Sequence, residues 1–203
     1  MDAEKAAEEL KVIRRLMERP VQYSTMSGLS GILAGCAALA GVAADWTVSR
    51  SHPPLESVKI SIALWAGVFG VAFTAAVVLT RLRERRRGMP FWSDVKRRIL
   101  LTIGPPFVVC VGLTAAIVYR WWAQQGPNMW GMIPAVWMVC YGLALWQVGL
   151  FSPVEVRVLG VAFLASGIVA AASLHTHPYW ALGVTFGGFH IVYGTVVWLR
   201  HGG

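Results

Sequence analysis

Six apolar runs, each about as long as a bilayer crossing needs, alternate along the chain with short polar stretches. They cover residues 24–45, 58–80, 99–119, 130–151, 156–174 and 179–199. Their spacing predicts six transmembrane helices. Ahead of them, residues 2–19 repeat Ala6, Leu10, Ile13 and Met17 on one helical stripe, with Lys5–Glu9 and Arg14–Glu18 as i, i+4 pairs. Pro20 closes that stretch. The predicted fold is therefore all-α: an amphipathic helix over 1–20, then a six-transmembrane-helix bundle over 21–203.

Within the runs, turn and packing signals refine the picture. Ser27, Gly31 and Gly35 recur every four residues, which favours close helix approach in a membrane. The first outer loop is expected over Asp45 to Glu56. Gly104, Pro105 and Pro106 predict a kink or break near the inner end of the third span. Ser152 and Pro153 make so short a turn that the fourth and fifth spans should be antiparallel neighbours. Leu33 to Cys36 has the look of a lipoprotein cleavage box. It is read as plain span, because the apolar run continues to Val42 and the preceding segment is rich in acids.

Composition supports a membrane chain. Hydrophobic residues make up 56% and charged ones only 14%, too few to coat a soluble domain. The charge is also clumped. Arg81, Arg83, Arg85, Arg86 and Arg87, with Lys96, Arg97 and Arg98, form a basic belt between the second and third spans. By the positive-inside rule that belt and both termini face the cytoplasm, at a bacterial inner membrane. All of the 18 lysines and arginines except Arg50, Lys59 and Arg120 then lie inside. The net charge of +8 is thereby explained by topology and by anionic headgroups at the inner face, not by nucleic acid. Aromatic residues do not interleave the belt as a base-stacking platform would require.

Chemistry is sparse. The span centres hold no acid, which argues against a proton-coupled carrier. His190 lies near the middle of the sixth span. It is read first as a structural histidine bonded to a hydroxyl, amide or carbonyl, with Tyr193 nearby, and second as a ligand or gating residue. Trp137, Tyr141 and Tyr193 join it as candidate ligand or gating positions. Cys36, Cys110 and Cys140 fall at similar depth and with His190 make a nominal zinc inventory, but without a Cys-x-x-Cys spacing they read as apolar filler. His52, His175 and His177 on the outer face are weak metal candidates. No cofactor is expected. Haem would need a second histidine at the depth of His190, and no phosphate loop or catalytic triad is visible.

From Leu16 through Gly35, and again from Gly187 to Gly194, the chain resembles a loosely defined group of small, uncharacterised bacterial polytopic membrane proteins. These share a charged leading helix and a Ser/Gly-rich first span. The resemblance implies a six-span fold. Some members are encoded beside a winged-helix regulator, which implies a cytoplasmic protein partner. It carries no catalytic residue. The leading expectation is a non-enzymatic membrane module that binds a lipid or apolar ligand and a cytoplasmic protein. The alternatives are a small homo-oligomeric channel or facilitator lined by glycines beside His190 and the Pro105–Pro106 break, and a membrane enzyme acting on lipid or quinone.

Overall fold

The computed structural model describes residues 27–86, 88, 92–124, 129–150, 152–174 and 178–201. Among them every regular element is helical. In chain order these are α1 (Gly28–Ser51), α2 (Pro54–Arg86), α3 (Asp94–Gln124), α4 (Met132–Val148) and α5 (Val154–Val169). A π-helical turn, π1 (Ala170–Leu174), continues α5. The last rod is composite: α6 (Pro178–Leu182), π2 (Gly183–Phe189) and α7 (His190–His201). The helix expected over residues 2–19 lies outside the described residues.

Among the described residues five helices are long and apolar enough to cross a membrane, and Met132–Val148 is a shorter apolar one. This is the pattern of a multi-pass membrane protein. The fourth run was expected over 130–151, but α4 has only 17 residues. At 1.5 Å per residue it is about 25 Å long, less than the ~30 Å of a hydrocarbon core. Gly131 and Gly149 bound it.

Several expected boundaries need correction. The loop placed over Asp45 to Glu56 is mostly helix: α1 runs to Ser51 and α2 begins at Pro54, leaving only His52 and Pro53 between them. Pro54 suits the first helical position, where no backbone donor is needed. The basic run, placed between spans, is the last turns of α2 as far as Arg86. Hydropathy falls at the first charge, whereas the helical backbone continues and long cationic side chains reach for water. Gly88 turns the chain after α2 with φ of 66°.

The Pro105–Pro106 pair does not break α3, which is continuous from Asp94 to Gln124. Each proline forfeits one backbone bond, but the ladder resumes on either side. Ser93 caps the start of this helix, accepting the Lys96 N–H at 3.3 Å.

Packing follows the small residues. The α4–α5 pair is the most extensive in the molecule, as the tight Ser152–Pro153 turn predicts. Gly142 and Gly160 face each other there, and a Cβ on Gly160 would stand 2.7 Å from Trp146 N. The other close seam joins α1 to π2 and α7. A Cβ on Gly194 would meet Gly28 O at 2.5 Å and Ile32 N at 2.6 Å. Outside these two units, α2 packs on α1 and α3 on α4. Although consecutive in the chain, α2 and α3 do not form a packed pair.

Candidate functional site

Between the two glycine-sealed units lies a layer of rings. Phe163 of α5 is fully buried at its centre. Tyr141 of α4 meets it edge-on at 4.8 Å between centroids, Phe186 of π2 at 5.0 Å and Phe189 at 5.6 Å. His190 completes the group, 5.4 Å from both Tyr141 and Phe163 and stacked on Phe186 at 6.1 Å. Edge-to-face rings are attractive beyond their buried area. Phe186, Phe189 and His190 are spaced by three and one, so one helical face presents all of them.

The hydrogen bonds of His190 determine its form. Its Nδ1 lies 3.0 Å from Phe186 O, and its Nε2 lies 2.8 Å from the Tyr141 hydroxyl. A carbonyl oxygen only accepts, so the proton is on Nδ1. The Nε2 lone pair then accepts the Tyr141 O–H. The π2 segment contributes to this arrangement. In an α-helix Phe186 O would receive the backbone N–H of His190, but that N–H goes to Gly187 O. The imidazole Nδ1–H is directed at Phe186 O. Single π turns inside longer helices recur at functional sites.

Of the candidate residues, the structure brings His190 and Tyr141 into direct contact and packs Tyr193 against the same core. Trp137, one turn before Tyr141, is turned elsewhere. Its indole N–H donates to Thr114 of α3 at 3.1 Å, and its ring meets Phe107 edge-on. Cys110 and Cys140 are buried and in side-chain contact, whereas Cys36 is exposed on α1. A three-cysteine, one-histidine set is therefore not assembled. No group of three or more metal-ligating side chains occurs among the described residues. His52 is exposed, its Nδ1 3.3 Å from Val48 O. His175 and His177 lie outside the described residues. With both nitrogens engaged, His190 binds a metal only by displacing Tyr141 or Phe186 O.

In the basic belt, Arg81, Arg83, Arg85 and Arg86 end α2, while Lys96, Arg97 and Arg98 open α3. Arg87 lies outside the described residues. Beneath the belt Glu84 is buried, holding Lys96 Nζ at 2.6 Å, with Arg81 Nη1 at 4.0 Å. The one acid in that arginine run is thus an internal counter-charge joining the two helices.

Sequence reasoning passed over three features. Phe163 is the one aromatic of the run over residues 156–174, and no pattern in that run marks it as a centre. Asp45 was assigned to a loop, but it is buried inside α1, accepting from Ser61 Oγ and from Trp65 Nε1 at 2.8 Å. Its signal was the i, i+4 pair of Ser61 and Trp65 on the next helix, a donor pair with no polar neighbour to serve. The two π segments have no signal beyond their content of small residues. No protein-family model, no curated protein and no solved structure matches the chain.

Proposed function

We propose that this chain is a non-enzymatic membrane module of six membrane-crossing segments that binds a lipid or apolar ligand beside its outer helices and relays its state to a cytoplasmic protein. In this reading the belt and both termini face the cytoplasm of a bacterial cell, as the positive-inside rule implies. One observation carries it. The basic connector joins α2 and α3, and these helices pack on different units: α2 on α1, α3 on α4. Any shift of one unit against the other changes the separation of the connector's two ends. A ligand acts on such an equilibrium only through a difference in affinity for its two arrangements. The membrane face of α2 and α3 offers room for that difference.

The ring layer fits this reading better than a passage does. The glycines of α1 and α7 hold backbones together, and Phe163 with its neighbours fills the space beside His190. The resemblance to proteins encoded beside a regulator supports a cytoplasmic partner.

Spin labels test the idea. With Cys36→Ala as background, Arg86→Cys and Arg98→Cys place one label at each end of the connector. The expected result is an inter-label distance that changes between bilayers of neutral and anionic composition, and a cytoplasmic partner whose capture is lost when residues 2–19 are deleted. A distance distribution identical in every bilayer would sink the proposal.

A further inference from the structure

The turn between α4 and α5 holds two buried polar groups that the chain leaves without a partner. Ser152 is 5% exposed, and its Oγ makes no hydrogen bond. Arg157 Nε is buried too, and it has no acceptor. A buried donor left unpaired is a net cost to folding. Two of them in one short stretch point to a partner from outside the chain.

Both groups stand at the start of α5. Ser152 directly precedes Pro153, the N-cap, which makes no side-chain capping bond. The Arg157 side chain runs back toward the same end, since its Nη2 donates to Gly149 O at 3.2 Å. Packing holds it on that course. A Cβ on Gly149 would stand 2.9 Å from Arg157 Cβ, and the guanidinium lies over the Trp146 ring at 5.7 Å. The bond to Gly149 O serves the end of α4 and uses one of five guanidinium donors. The first turn of a helix adds backbone N–H groups that have no intrahelical acceptor.

Charge decides what the partner is. Water would satisfy the hydrogen bonds and leave the charge. Among the described residues no carboxylate pairs with Arg157: Glu155 is held by Arg200 at 2.9 Å, and Glu84 by Lys96 at 2.6 Å. A guanidinium and a helix N-terminus both favour an anion. A phosphate has enough oxygens to accept from the Nε–H, the serine hydroxyl and the helix together.

The turn also lies at the end of the molecule where phosphates gather. Trp137 bonds to Thr114, and Cys140 touches Cys110, so α3 and α4 run antiparallel. That register sets Gly149 level with the first two turns of α3, which carry Lys96, Arg97 and Arg98. A basic surface of this kind attracts anionic headgroups and soluble phosphates alike.

We infer that the α4–α5 turn is a phosphate-binding site, in which Arg157 Nε, Ser152 Oγ and the first N–H groups of α5 hold the oxyanion of a lipid headgroup or of a soluble phosphate. The inference stands apart from the functional reading above, because it uses neither the membrane face of α2 and α3 nor the connector.

Thermal unfolding of the full, delipidated chain in an uncharged detergent tests it. Sodium phosphate is titrated in one arm and dioctanoyl phosphatidylglycerol in the other, with chloride holding ionic strength constant. A saturable rise in melting temperature is expected. A rise with phosphate assigns the site to a soluble phosphate, and a rise with the lipid alone assigns it to a headgroup. Ser152→Ala should raise the half-saturating concentration about 10-fold, the usual effect of losing one bond to a charged group. Its melting temperature without either probe should equal or exceed that of wild type, because the lost hydroxyl had no partner there. Arg157→Gln should abolish the rise. Arg86→Gln, which removes the same charge from the belt, should leave it intact. No saturable rise in either arm, an unchanged half-saturating concentration in Ser152→Ala, or equal losses in Arg157→Gln and Arg86→Gln would each overturn the site. Should Arg157→Gln fail to fold, Ser152→Ala decides alone.

Discussion

Gly31, Gly35 and Gly194 press backbone against backbone, whereas Gly67, Gly70, Gly104 and Gly112 have nothing within 4 Å of where a Cβ would stand. The first set lies in α1 and α7, the second in α2 and α3. In a bilayer the hydrophobic effect gives helices no reason to associate, because lipid tails are as apolar as leucine. Close contact must come from dispersion packing between backbones, and that is what the central glycines permit. The outer helices have the same residue without the partner. They are held by side chains that reach across: Trp137 to Thr114, Phe69 to Phe107, Glu84 to Lys96. One part of the molecule is therefore sealed backbone to backbone, and the other is held through side chains, α2 by its extensive contact with α1 and α3 by its contact with α4.

Substitutions can break this contrast, starting with the core. Phe163→Ala should cost about 3–5 kcal/mol, because it empties the centre of the ring layer. Reversible unfolding in mixed micelles would measure this, and a loss below about 1 kcal/mol, typical of a surface site, would mean the layer is not a core. Gly194→Ala comes next, at about 1–3 kcal/mol, since every atom its methyl meets is backbone and cannot move aside. Gly187→Ala sharpens the point. Its methyl meets the end of the Leu39 side chain, which can rotate, so its cost should be smaller than that of Gly194→Ala in the same assay.

Tyr141→Phe keeps the rings and removes the hydroxyl, leaving His190 Nε2 without its donor. A loss of about 1–3 kcal/mol is expected. A Tyr141→Phe, His190→Phe double variant should recover part of it, and strict additivity in that cycle would show that the two do not interact. Smallest, and opposite in sign, is Gly67→Ala. With open space around it and helix on either side, this change should stabilise by about 0.5–1 kcal/mol. Destabilisation there would show that the Gly67 face of α2 has a packed neighbour.

The basic run shows how much a sequence pattern can and cannot convey. Its cations stood out, and their clustering between apolar runs placed a membrane surface at that point of the chain. The single acid among them carries no sign that it is buried more deeply than any other charge among the described residues. Local sequence gives the charge of Glu84. Its burial depends on where α3 returns, and only Lys96 on the next helix decides that. Asp45 is the same case at the other end of the molecule, where a hydropathy window ends at a charge that the helix carries inward to Ser61 and Trp65. Tyr141 and His190 were both singled out by residue type and depth, but nothing in the spacing of 49 residues joined them.

By itself the sequence determined that the chain is helical and apolar enough to cross a membrane repeatedly. Backbone polar groups in hydrocarbon must be satisfied within each segment, so a long apolar run has few alternatives to a helix. It also determined, through Ser152 and Pro153, that the helices on either side lie antiparallel. Which helices touch, and which merely follow one another in the chain, was decided by tertiary structure. Small residues on α1 found small residues on α7, nearly the length of the chain away, while α2 and α3 were left apart despite being neighbours in sequence. Contact in a bilayer depends on matched surfaces meeting, and a one-dimensional pattern shows each surface without its mate.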